Sequence, residues 1–142
     1  MNPEIANEWI GRYSYDPVPG IDLPSVDFKM HLSSVQAGAF TGQIVDGPGG
    51  IPEAASIEGT LAANEINFTK RYSSLWISDE HGDQVPLLSQ PSSVIEYRGK
   101  LNGTRDRIDG TWEIAAATLS IDGVAVDCPR TTGFWFASLE SA

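Results

Sequence analysis

The sequence predicts an all-β chain, one domain over residues 1–142, folded as an eight-stranded antiparallel up-and-down barrel. Three observations lead there. Apolar residues recur at every second position in eight separate segments. The positions between them are largely polar, which gives each segment one dry and one wet face. No stretch carries the i, i+3, i+4 apolar spacing of a long helix.

The strands are expected at about 8–15, 26–34, 38–46, 54–62, 65–73, 94–101, 107–116 and 133–140. The inward residues begin with Trp9, Gly11, Tyr13 and Tyr15, followed by Phe28, Met30 and Leu32, then Phe40, Gly42 and Ile44. Ile57, Gly59 and Leu61 continue the series, with Ile66, Phe68, Lys70 and Tyr72 after them. Ile95, Tyr97, Gly99 and Leu101, then Ile108, Gly110, Trp112 and Ile114, then Phe134 and Phe136 complete it. An even count lets the first and last strands pair, which removes both open edges.

The links agree with hairpins. A tight turn at Ala63-Asn64 sets Leu61 opposite Ile66 and Gly59 opposite Phe68, all on one face. Gly38 lies in the second link, and Asn102-Gly103 suits a turn with positive φ. Longer connections cover 16–25, 46–53 and 74–93, and Ile121-Asp122-Gly123-Val124 reads as a small hairpin that could supply a ninth strand. Eight remains the expectation.

The succession Phe40-x-Gly42-x-Ile44, Ile57-x-Gly59-x-Leu61, Ile66-x-Phe68-x-Lys70-x-Tyr72, Ile95-x-Tyr97-x-Gly99 and Ile108-x-Gly110-x-Trp112 resembles a group of small, mostly uncharacterised bacterial barrels. These are grouped with the lipocalin-like and streptavidin-like (calycin) fold. The resemblance spans residues ~8–140 as an order of short motifs and implies a barrel with an internal cavity. Lipocalins carry G-x-W near the start, whereas Trp9 here precedes Gly11, and no biotin-contact pattern is present.

Composition narrows the partners. A net charge of −10 disfavours nucleic acid, whose phosphates call for clustered Lys and Arg, and equally disfavours anionic membranes. The single cysteine, Cys128, has no partner for an internal disulfide. With no signal-like N-terminus and no long apolar run, the expected location is the cytoplasm.

Lys70 is the sharpest residue, because strict alternation turns it inward and an ionised lysine is seldom buried alone. Asp46 and the inward tyrosines are its candidate partners. The structural reading is a rim lysine reaching water or a fixed internal ion pair. The functional reading is a charge that recognises a ligand or, with a depressed pKa, a base or Schiff-base nucleophile.

Trp9, Tyr13, Phe68, Lys70, Tyr72, Tyr97 and Trp112 form the expected ligand-binding lining: apolar, with a few polar handles. Gly99 opposite Gly110, beside Tyr97 opposite Trp112, reads either as relief of crowding or as the floor of a cavity. Asp79-Glu80-His81-Gly82-Asp83 holds metal-ligating residue types without a ligand spacing, so no metal and no cofactor is expected. Neither histidine is inward, which argues against a Ser-His-Asp relay.

The leading expectation is binding of a small, mostly apolar molecule inside the barrel. A cofactor-independent isomerase or cyclase in the same cavity is the first alternative. An acidic interaction or inhibitor module is the second, and an outward Ile10/Trp135 seam, with Val45 nearby, suggests a homodimer.

Overall fold

A computed structural model describes residues 8–16, 25–48, 50–78, 84–87, 94–104, 106–121, 123–128 and 130–139. The strands are β1 (Glu8–Tyr15), β2 (Val26–Gln36), β3 (Ala39–Asp46), β4 (Ala55–Ala62), β5 (Glu65–Arg71), β6 (Leu75–Ser78), β7 (Gln84–Leu87), β8 (Ile95–Leu101), β9 (Arg107–Ile114), β10 (Ala117–Ile121), β11 (Val124–Cys128) and β12 (Thr131–Leu139). Eight of them close into an antiparallel barrel in the order β1-β12-β9-β8-β5-β4-β3-β2. Each barrel strand neighbours the next one in the chain, and β1 meets β12 from Trp9↔Leu139 to Tyr15↔Gly133.

The expected pairings Leu61↔Ile66, Gly59↔Phe68, Gly99↔Gly110 and Tyr97↔Trp112 are all present. Segment 117–128 does form a hairpin, β10–β11, but it pairs only with itself and adds no ninth strand to the barrel. Within the 74–93 connection, β6 and β7 form a second separate hairpin. The Asp79–Asp83 loop lies outside the described residues. No helix among the described residues is long and apolar enough to cross a membrane.

Up-and-down winding sorts the connections by length. The short turns at 37–38, 63–64 and 102–106 share one end of the barrel, and the four long connections share the other. At the short-turn end each turn carbonyl accepts an N–H from a leucine farther round the wall. Gly38 O receives Leu61 N at 2.7 Å, Asn64 O receives Leu101 N at 2.7 Å, and Asp106 O receives Leu139 N at 3.0 Å. These bonds satisfy backbone groups that the ladders leave over. The Asn102-Gly103 turn does not use positive φ as expected. Instead Asn102 Oδ1 accepts from the backbone N–H of Asp106 and Arg107, and Asn102 Nδ2 donates to Asp106 Oδ1.

The sequence reading of β12 is corrected. Trp135 points inward and is buried, whereas Phe134 is 52% exposed and Phe136 only half-buried. The cause is the facing glycine pair. A Cβ on Gly99 would lie 2.8 Å from Trp135 Cζ2, and one on Gly110 would lie 2.7 Å from Trp135 Nε1. The indole therefore occupies the space that two missing side chains leave, and its N–H donates to the carbonyls of Arg98 (3.1 Å) and Thr111 (3.2 Å). On the inner side of the wall Gly99 and Gly110 seat a tryptophan. The Phe28 ring covers Gly11 and the Trp112 ring covers Gly133 in the same way.

Candidate functional site

The inward phase of β3 ends on Asp46 and that of β5 on Lys70, both at the long-loop end. Lys70 Nζ lies 3.2 Å from Asp46 Oδ1, and the two side chains are 1% and 0% exposed. Such a pair is costly to bury unless its remaining hydrogen-bonding capacity is met. The carboxylate meets that condition. Asp46 Oδ2 accepts from Tyr72 OH at 2.8 Å, from Tyr13 OH at 3.2 Å and from Ile51 N at 3.2 Å.

The ammonium is met differently. Asp46 is its hydrogen-bond acceptor among the described residues, and tyrosine rings surround the rest. The centroids of Tyr13, Tyr72 and Tyr97 lie 5.0, 5.1 and 5.8 Å from Nζ, within cation–π range. Trp112 packs edge-on against Tyr13 and Tyr15, with centroids 6.2 and 5.1 Å away, and its indole N–H donates to Ser14 O at 3.0 Å. All four tyrosines of the chain therefore gather at this end.

The surroundings move the titrations in two directions. Burial lowers the Lys70 pKa, with Asp46 pulling it partly back. Burial first, and the Asp46 charge second, raise the phenols of Tyr13, Tyr15, Tyr72 and Tyr97 above their ordinary value of 10. Each shift follows from the cost of placing charge in a poorly solvated interior.

The 47–54 connection lies over this cluster. Gly50 fits because it lacks a side chain: a Cβ there would lie 2.8 Å from Asp46 Oδ2 and 2.8 Å from Val26 Cγ1. Glu53 ties the same connection to the segment after β5, accepting from Ser73 N (3.0 Å), Ser73 Oγ (2.7 Å) and Trp76 Nε1 (2.7 Å). The Ser73 hydroxyl is the main cause of a lowered Glu53 pKa. Beside the cluster, Ile95 and Ile114 form a half-buried apolar step: Lys70 pairs across to Ile95, and Ile95 to Ile114.

The expected lining is thus divided. Tyr13, Lys70, Tyr72 and Tyr97 come together, with Trp112 immediately behind Tyr13. Phe68 lies deeper, stacked on Tyr97 at 4.8 Å and edge-on to Trp135 at 5.5 Å. Trp9 belongs to the opposite end, where it pairs with Met30 and Leu139. Four strand residues, roughly 13 Å, separate it from Tyr13. Asp46 is the central acceptor of the cluster although the expected lining omitted it, and Glu53 was not anticipated at all.

Two of the concavities on the outer wall bear on the residues expected from the sequence. One of about 750 Å³ is lined by β5, β8 and β9, with outward residues such as Asn67, Arg98, Lys100 and Thr111 around Gly99 and Gly110. The other, about 620 Å³, holds Ile10, Val45 and Phe136 beside Arg12, Asp27 and Lys29. The expected seam through Ile10 is therefore completed by Phe136, and Trp135 has no part in it. No protein-family model matches this chain, and no curated protein matches it at a significant level.

Proposed function

We propose that the protein binds a small, mostly apolar molecule at the long-loop end of the barrel, with Lys70 as the polar contact. The observation that carries this reading is a fully buried lysine with a single oxygen acceptor among the described residues, ringed by tyrosines, at the end of the barrel from which the long connections leave. Sites for small molecules combine an apolar surface with a few placed polar groups. Tyr15, Tyr72, Ile95 and Ile114, all half-buried, supply the apolar part.

Native mass spectrometry of the purified protein, repeated after denaturation, tests it. A small-molecule adduct released on denaturation is the expected result and gives the ligand mass. A clean apo mass, retained after incubation with a cell extract, would sink tight binding. The lowered Lys70 pKa favours the isomerase or cyclase as a variant of the same reading. In that case the bound compound is converted by the wild type, and Lys70→Met binds it without converting it.

The 620 Å³ outer concavity favours a second reading, contact between two copies of the chain. Ile10 and Val45 are 42% and 52% exposed there. Arg12 and Asp27 form an ion pair at 2.7 Å with Lys29 beside them, so this face escapes the negative charge of a −10 chain. Sedimentation equilibrium should find a dimer that Ile10→Arg dissociates; a wild-type monomer at high concentration removes the idea.

A further inference from the structure

We infer that the ligand presents an uncharged hydrogen-bond acceptor to Lys70, a ketone, aldehyde or amide carbonyl, and not a carboxylate, phosphate or ammonium group. This rests on the binding reading above and specifies its chemistry.

Charge balance is the first argument. Lys70 and Asp46 compensate each other inside the barrel at 3.2 Å. A ligand anion would add a buried negative charge within reach of Asp46 and without a counter-ion of its own. A ligand ammonium would meet the Lys70 ammonium with Asp46, the one carboxylate of the cluster among the described residues, already engaged. Either arrangement leaves an uncompensated charge out of water, which is what buried sites avoid.

Donor balance is the second. A carboxylate has about four acceptor positions. Those of Asp46 receive Lys70, Tyr13, Tyr72 and the Ile51 N–H. The hydroxyl protons of Tyr13 and Tyr72 are thereby committed. Lysine has three N–H donors, and among the described residues Asp46 takes one. The others face the rings of Tyr13, Tyr72 and Tyr97, a contact that a carbonyl oxygen outcompetes because a charged donor prefers a lone pair to a π face. The cluster therefore has a proton donor to offer and its carboxylate is saturated as an acceptor.

Position is the third. Ile95, the cross-strand neighbour of Lys70, and Ile114 beyond it are half-buried at the same end of the barrel as the ion pair, as is Tyr15. A ligand whose carbonyl reaches Nζ lays its hydrocarbon on this step.

Three probes of one size and different polarity decide the matter: acetophenone, benzoate and ethylbenzene, each titrated into the intact protein and followed by amide NMR shifts. Acetophenone should bind at least about tenfold more tightly than either of the others, with the largest shifts at Lys70, Ile51 and Ile95. The double variant Lys70→Met/Asp46→Asn keeps the cluster neutral and should reduce that preference to less than about twofold. The wild-type series is decisive even if the variant does not fold. Benzoate binding best, or ethylbenzene matching acetophenone, overturns the carbonyl assignment while leaving an apolar site. If no probe shifts the long-loop end, the binding reading falls with it.

Discussion

The two ends of this barrel are built from different materials. At the short-turn end the interior is hydrocarbon: Trp9, Met30, Leu32, Leu61, Ile66, Leu101, Ile108 and Ala137 are all buried, and the three turns are tied to neighbouring strands by backbone hydrogen bonds. At the long-loop end the interior holds Lys70, Asp46 and the tyrosines, beneath connections tied by side chains such as Glu53. Hydrocarbon burial stabilises at about 25 cal/mol per Å² and is indifferent to pH. A buried ion pair returns little net stability over apolar side chains of the same volume. The short-turn end thus supplies stability, and the long-loop end carries polar groups that stability alone would not select.

The comparison is broken most visibly by alkali. In the unfolded chain the tyrosines ionise near pH 10. In the folded protein burial holds all four phenols protonated above that value. Their contribution is complete below pH 10 and is lost above it, at about 1.4 kcal/mol per pH unit for each phenol kept protonated. Lys70 works in the opposite direction. Its folded pKa is lowered, so its share of stability grows as pH rises toward about 10.5. One lysine against four phenols leaves a net loss. Tyrosinate absorbance should therefore rise in one cooperative step coincident with unfolding. Phenols titrating independently near pH 10 in the folded protein would mean that the long-loop end is open to water.

Asp46→Ala is the next largest break. It leaves Lys70 buried without its counter-ion and the hydroxyls of Tyr13 and Tyr72 without their acceptor, a loss of about 3–5 kcal/mol in denaturant unfolding. Lys70→Met combined with Asp46→Asn should recover most of it, since it removes both buried charges and keeps a side-chain carbonyl as acceptor for the tyrosine hydroxyls. A double variant as unstable as the single one would show that the ion pair, and not merely its balance, holds this end together.

How far this was legible in the sequence depends on the residue. Lys70 and Asp46 could be read because each continues a strict alternation, Ile66-Phe68-Lys70 and Gly42-Ile44-Asp46, that leaves one direction for the side chain. Trp135 could not be placed that way, because Phe134, Trp135 and Phe136 are aromatic in both phases. The signal there was small residues: Gly133 and Ala137 flank Trp135 in its own phase, as Gly11 and Gly42 flank inward aromatics elsewhere. Trp9 was legible as an inward residue, and alternating strand direction already sets the start of β1 at the opposite end from Tyr13. Glu53 lies in a connection without periodicity, where no face is defined until the chain has folded.

The smallest effects compare one glycine with one missing glycine. At the long-loop end Gly50 lies against Asp46 and Val26, so Gly50→Ala should cost about 1–3 kcal/mol by crowding a filled space. At the short-turn end Ala63 holds a left-handed φ of 53°, which suits glycine better than an L side chain. The turn cannot relax, because the next residue's carbonyl, Asn64 O, is held by Leu101 N. Left-handed backbone costs an alanine about 1–2 kcal/mol. Glycine avoids that and gives back about 0.4–1 kcal/mol in unfolded-chain entropy. Ala63→Gly should therefore raise stability by about 0.5 kcal/mol, measured as a higher denaturation midpoint at unchanged slope. A loss of stability instead would show that the tied turn does not impose the strained backbone, and that the short-turn end owes less to its ring of backbone bonds than to the hydrocarbon above it.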